Sequence, residues 1–457
     1  MLAKHGSAIR AGDVYVVNDP YRGGTHLPDV TVVTPVFPAD LGPAPAPHVP
    51  EVPLFFVASR GHHAEIGGIS PGSMPADSRT LDEEGIRFDA DLLVRDGEFR
   101  ELSIRQLLTS GPYPSRNPDL NLADLRAQVA ANAKGVSELA RAVHEHGLDV
   151  VTAYMGHVQD NAADAVRRVI DALDDGEYRY EMDSGAVIAV RVTVDRAERT
   201  ATLDFTGSSP QREDNFNAPS SVVTAAALYV FRTLVGEDIP INDGCLRPLR
   251  LVIPAGSMLA PTYPAAVVAG NVETSQAITG ALYAALGVAA EGSGTMNNVS
   301  FGNARAQYYE TVASGSGAGP DFDGTDVVQT HMTNSRLTDP EVLEARFPVL
   351  VEEFSIRRGS GGDGAHRGGN GAVRRLRFTE PVSVSLLSNH RRIPPYGLAG
   401  GEPGELGRNT LVRADGTEVP LAGCDRVDAG PGDVLIVTTP GGGGYGPRSG
   451  VAAERNG

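Results

Sequence analysis

The stretch "GDVYVVNDPYRGGTHLPDV", Gly12 to Val30, decides how the rest of the chain reads. "DVYVV" is an apolar run of strand length, and "VTVVTPVF" from Val30 resumes a strand. Between them sits a cluster of Asn, Asp, Pro, Arg, Gly and His that closes on His-x-x-Asp. A surface turn needs one or two such residues. This one carries most of a site's inventory, with Asn18, Asp19, Arg22, His26 and Asp29. Pro28 biases Leu27 to an extended conformation, so His26 and Asp29 belong to a loop rather than to one helical face. A loop at a strand's end can aim both at one point. Imidazole with carboxylate suits Zn, Mn or Fe(II) better than Ca or Mg.

Working outward, "PADLGPAPAPHVPEVP" (38–53) reads as a Pro-rich surface loop of polyproline character. "LFFVASR" (54–60) reads as a buried strand and runs straight into "GHHAEIGG", with His62, His63 and Glu65. Two strands therefore each deliver a His-carboxylate cluster at their C-terminal ends. If they pair, the clusters can share a cation; the bland alternative is two polar turns with capping carboxylates.

Residues 120–173 carry the clearest helices. Leu125, Val129, Asn132, Val136, Leu139 and Val143 recur at spacings of three and four. Beyond Gly147 a second stripe runs through Val151, Tyr154, Met155, Val158, Ala162, Val166, Val169 and Leu173, which predicts an antiparallel helix pair. "AVIAVRVTV" and "TATLDFTG" alternate with period two and predict a hairpin around "DRAER". "SSVVTAAALYVFRTLVG" and "TSQAITGALYAALGVAAE" predict helices. From about Phe354 short strands and Gly/Pro turns take over, and the last dozen residues read as a loose tail. The expected fold class is α/β, mixed α+β: multi-domain, mixed sheets with a helical pair and a β-rich C-terminal domain. The expected segments are 1–115, 116–345 and 346–457.

A chain of 457 residues exceeds what one core usually serves. Its formal net charge of −18, with Lys nearly absent, argues against binding nucleic acid. Cys245 and Cys424 form no CxxC pattern, which argues against a Cys-ligated metal and fits a reducing compartment. No apolar run approaches a membrane span and the first residues lack a signal peptide's apolar core, so a cytoplasmic location is expected.

Two motif matches fail on chemistry. "GISPG" (68–72) has the letters of a nucleophile elbow, but the oxyanion hole needs the N–H after the serine, and Pro71 has none. "GSGGDG" (359–364) leads into "AHRGGNG", not into a helix that could hold a pyrophosphate. No nucleotide is expected on this chain. "THMTNSR" gathers Thr330, His331, Thr333, Asn334 and Arg336, a mix suited to a polar, amide-like substrate or to a hydrogen-bonded loop. Lone histidines such as His157 and His366 read as structural.

Taken together, "GDVYVVNDPYRGGTHLPDVTVVTPVF", "GHHAEIGGISPGSMP", "NPDLNLADLRAQVAAN", "GNVETSQ", "YYETVASGSGAGPDFDGTDVVQTHMTNSR", "VSLLSNHRRIPPYGLAGGEPG" and "PGDVLIVTTPGGGGYG" closely resemble the hydantoinase B/oxoprolinase family, over essentially the whole chain. The resemblance implies the B-type subunit of an ATP-dependent amidohydrolase that opens hydantoin, N-methylhydantoin or 5-oxoproline. It implies a hetero-oligomer with a hydantoinase A-type subunit, which binds ATP and phosphorylates the amide. It implies a divalent metal (Mn, Zn or Fe) held by His26, Asp29 and His62. Asp19, His63, Glu65, His331 and Asn334 are the catalytic candidates. Asn18, Arg22, Thr330, Thr333 and Arg336 are the substrate-binding candidates.

The family pattern also has a stretch ahead of "GDVYV", including a Glu expected to complete the metal site. This chain starts after it, so three ligands plus water are expected, or a second chain supplies the rest. Alternatives are an acetone-carboxylase-like subunit, a non-catalytic or truncated partner, and a stand-alone metal hydrolase. The pocket is expected where the first two strand ends meet the 310–336 segment.

Overall fold

The computed structural model describes residues 1–42 and 52–448. The polyproline reading of 38–53 falls largely outside them, as does most of the tail. Mixed α+β is the observed class, with four sheets among the described residues.

After a short helix α1 (Leu2–His5), strands β1 (Val14–Val17), β2 (Asp29–Val36), β3 (Phe55–His62), β4 (Asp91–Arg95) and β5 (Glu98–Phe99) form an antiparallel sheet in the order β3-β2-β1-β4-β5. Helices α2 (Glu101–Leu108), α3 (Pro118–His146) and α4 (Leu148–Ile170) follow. Asn117 caps α3 by accepting from the Leu120 N–H, and Pro118 opens its first turn. The face α3 turns to the sheet is Asn121, Leu122, Leu125, Gln128 and Asn132. Leu122 and Leu125 join a core with Val14, Val16, Leu27, Val30 and Val32. The expected stripe ran through Val129 instead of Gln128. Gln128 is buried because its amide donates to Val30 O and Ser59 O, which an apolar side chain could not satisfy. Asn132 does the same for Val32 O and Val57 O.

The helix α4 departs further from its predicted stripe. Its C-terminal half buries Ala162, Ala165, Val166 and Ile170, while Tyr154, Met155 and Val158 are exposed. Strands β6 (Gly176–Glu181), β7 (Val187–Asp195), β8 (Thr200–Asp204) and β9 (Leu249–Val252) make the second sheet. The β7–β8 hairpin falls where alternation put it, and β9 joins parallel to β8. Helices α5 (Ser220–Leu234) and α6 (Ser275–Leu286) share its core. A wider π turn, Gly270–Thr274, leads into α6.

The remaining strands are β10 (Asn298–Gly302), β11 (Gln307–Thr311), β12 (Val349–Arg357), β13 (Gly371–Phe378), β14 (Val382–Leu387), β15 (Arg408–Val412), β16 (Glu418–Leu421), β17 (Cys424–Ala429) and β18 (Val434–Thr438), with α7 (Pro340–Arg346) before β12. They form two sheets, β11-β10-β14-β17 and β12-β13-β18-β15-β16, around one core that includes Phe301, Val384, Leu386, Leu376, Phe378 and Leu435. One of these sheets draws strands from both sides of residue 346. Inside the core, Arg374 and Glu310 form a buried ion pair at 3.1 Å.

The glycine runs have a packing reason. A Cβ on Gly441 would lie 1.8 Å from Ser360 O, on Gly442 1.9 Å from Ser316 O, and on Gly443 1.9 Å from Tyr396 O. Backbone packs on backbone there, and "GSGGDG" is a partner in that packing, followed by β13 rather than by a helix.

Candidate metal centre

The first residue of β2, Asp29, lies directly opposite the last residue of β3, His62. Cross-strand neighbours sit close enough for side chains to meet, and His62 Nδ1 is 3.1 Å from Asp29 Oδ1. His26 enters from the preceding loop. That loop is fixed by Leu27, buried in the core, and by Asn18, whose amide donates to Leu27 O and Ile86 O while its Oδ1 accepts from Phe88 N. Gly24 is required by close approach: a Cβ there would lie 2.4 Å from Asn18 O. The result places His26 Nδ1 3.5 Å from Asp29 Oδ2. One potential ligand atom from each of His26, Asp29 and His62 lies within 4.8 Å of the other two.

The electrostatics suit a cation. Burial pushes His26 down to about 4 against the pull of Asp29, with His62 and Arg60 adding to the fall. The imidazole is therefore neutral near pH 7 and offers a lone pair. Its Nε2 is buried and has no hydrogen-bond partner, an expensive state for a polar atom unless something binds it. Burial alone would raise the Asp29 carboxyl, but His26, His62 and Arg60 outweigh it and hold Asp29 below the usual carboxylate range. Thr25, which sequence reasoning missed, donates to Asp29 Oδ2 at 3.2 Å. Its only signal was its place beside His26. This donor set of two imidazoles and one carboxylate fits Zn, Mn or Fe(II).

The other candidates separate from this group. His63 follows His62, so strand alternation turns it to the opposite face. There it meets Gln128 at 3.2 Å and Asn121 at 3.1 Å, a contact with α3. Glu65 is buried too, accepting from Gly67 N and Gly72 N and pairing with Arg116 at 3.2 Å. Asp19 caps the turn Pro20–Arg22 through Tyr21 N, with Arg87 3.4 Å away. Asn18 spends its amide on backbone groups, and Arg22 is exposed. These residues hold the loops; the structure does not bring them into the cluster.

The 330–336 segment is organised around a different neighbour. His331 has φ +54° and sits between the rings of Tyr229 and Tyr283, at 5.9 and 5.2 Å. Burial pushes it down to about 4, against Glu291. Thr330 Oγ1 is 3.3 Å from Ser293 Oγ, and Thr333 Oγ1 accepts from Gln276 at 2.8 Å. Asn334 and Arg336 lie outside the cluster as well, in the same loop. The link from this segment back to the cluster runs through residues 270–276. Gln276 reaches Thr333, while Glu273 reaches Asn298, which bonds the Tyr309 that stacks on His62.

The family model for hydantoinase B/oxoprolinase matches residues 1–448, and the chain belongs to that family. It is 43% identical over 461 residues to the 5-oxoprolinase of Dictyostelium discoideum, covering 98% of this chain and 35% of that protein. It thus spans about a third of that relative's length. It is 29% identical over 476 residues to a Pseudomonas sp. protein named as the B-type subunit of a D-/L-hydantoinase, covering 98% of this chain and 78% of the relative. Among solved structures it resembles the ATP-dependent caprolactamase of Pseudomonas jessenii, with a TM-score of 0.83 and 26% identity, over 98% of this chain and 80% of that one. No helix among the described residues is long and apolar enough to cross a membrane.

Proposed function

We propose that this chain is the B-type component of an ATP-dependent enzyme that opens a cyclic amide, of the 5-oxoproline, hydantoin or lactam class. The observation that carries the reading is the convergence of His26, Asp29 and His62 at the paired ends of two strands. The 5-oxoprolinase, hydantoinase and caprolactamase relatives favour the substrate class, and the Pseudomonas relative, named for its place in a hydantoinase, favours an A-type partner.

A ring amide is a poor electrophile with a poor leaving group. Activation by ATP on the partner makes its carbonyl carbon susceptible to water. When bound, a divalent cation supplies Lewis-acid activation at this site. The residues of this chain do the rest of the work there. Asp29 stays ionised and supplies negative charge. His26 stays neutral and offers Nε2. Thr25 fixes one carboxylate oxygen of Asp29, so the other faces His62.

The test is co-expression with an A-type subunit, followed by ATP-dependent ring-opening assays on 5-oxoproline, hydantoin and caprolactam. His26→Ala combined with Asp29→Ala is expected to abolish turnover while leaving subunit association intact. Turnover without ATP, or association lost together with activity, would contradict the reading.

A further inference from the structure

Of the three clustered side chains, His62 is the most open: its side chain is 34% exposed, against 1% for His26 and 21% for Asp29. It also ends its strand, where the ladder no longer holds it. One ring nitrogen faces Asp29. What fixes the plane of the ring is Tyr309, stacked on it with centroids 5.6 Å apart and planes 26° apart.

Tyr309 is itself held by a directional chain of hydrogen bonds. Its hydroxyl donates to Asn298 Oδ1 at 2.7 Å. The Asn298 amide donates to Glu273 Oε1 and to Leu387 O, both at 2.7 Å, so its orientation is set. Glu273 is fully buried and accepts from Thr295 Oγ1, Met296 N and Asn389 Nδ2, each at 3.0 Å. It sits on the π turn Gly270–Thr274, a rare geometry found often at functional sites. Every donor along the line points toward the Glu273 carboxyl. Tyr309 therefore shows His62 a ring face and keeps its proton turned away.

We propose that Tyr309, locked by Asn298 and Glu273, is a positioning residue that sets the orientation of the His62 ring and through it the affinity of the site for a divalent cation. The second half of this statement rests on the proposed metal reading; the first half does not. Groups that orient a ligand imidazole shift metal affinity by roughly 10- to 100-fold when removed.

The test uses the whole chain with 13C-labelled histidine, in Tyr309→Phe and Tyr309→Leu variants, and reads the His62 ring resonance without metal and then with Co(II). Tyr309→Phe breaks the lock and keeps the ring; Tyr309→Leu removes both. The expected result is a shifted or broadened His62 signal in both variants, larger for Leu. Co(II) affinity is expected to fall about tenfold for Phe and up to about a hundredfold for Leu. A core control, Leu435→Ala, is expected to lower Tm without moving either readout. An unchanged His62 resonance in both variants overturns the proposal. A His62 response with no Co(II) uptake by the unsubstituted chain supports the positioning role and overturns only its metal half.

Discussion

Two charged clusters in this molecule have opposite designs. In the C-terminal sandwich, Arg374 and Glu310 are almost wholly buried, and each satisfies the other through two hydrogen bonds, with Tyr308 donating a third to Glu310. At the ends of β2 and β3, His26, Asp29 and His62 are brought equally close, yet His26 Nε2 is left buried without a partner. The first cluster is closed: its charges cancel and nothing remains to bind. The second has a lone pair and a carboxylate with nothing inside the protein to finish them. Incomplete satisfaction, not proximity, separates the candidate site from the structural ion pair.

The comparison breaks if the two clusters respond alike to substitution. The largest expected effect is at the open cluster, where Asp29→Ala abolishes ring opening in the assembled complex and leaves Tm nearly unchanged. At the closed cluster, Arg374→Met leaves Glu310 buried and unpaired and is expected to cost about 3–5 kcal/mol of stability in denaturant unfolding. Adding Glu310→Leu is expected to recover most of that loss, and metal affinity should not move in either variant.

A third cluster sharpens the contrast through pH. His390 Nε2 lies 3.2 Å from Glu291 Oε1, and its Nδ1 donates to Ile393 O. Burial lowers the affinity of His390 for a proton, but Glu291 and the Ile393 carbonyl outweigh it and raise the group to about 8. Its stabilising contribution is fully present below the unfolded value of about 6.5 and is lost as pH rises through about 8. The size is about 2 kcal/mol. A Tm-against-pH profile should fall across that window, and His390→Asn should flatten it. The smallest expected effect is at Gln128. Gln128→Ala removes the partner of His63 and should cost about 1–2 kcal/mol of stability without altering turnover, since His63 faces α3.

Much of the open cluster was legible in the sequence because it is local. His-x-x-Asp at one strand end and His at another need only the pairing of neighbouring strands. The register was not legible. Which of His62 and His63 joins the cluster depends on a shift of one residue, and each looks equally apt in "GHHAE". The polar stripe of α3 was missed because Gln128 and Asn132 answer to carbonyls of β2 and β3 far away in sequence. The membership of β10 and β11 in a sheet with β14 and β17 was hidden for the same reason. "YYET" gave no sign that Tyr309 turns toward His62 while Tyr308 and Glu310 turn into the sandwich core. Only the β10–β11 register divides those faces.

The most direct measurement is divalent-metal content of the purified chain by elemental analysis, beside the His26→Ala, Asp29→Ala and His62→Ala variants. The account predicts close to one equivalent of a transition metal per chain, removed by each of the three substitutions and retained in Arg374→Met. A chain that holds no such metal, or holds it equally well without these side chains, would contradict it.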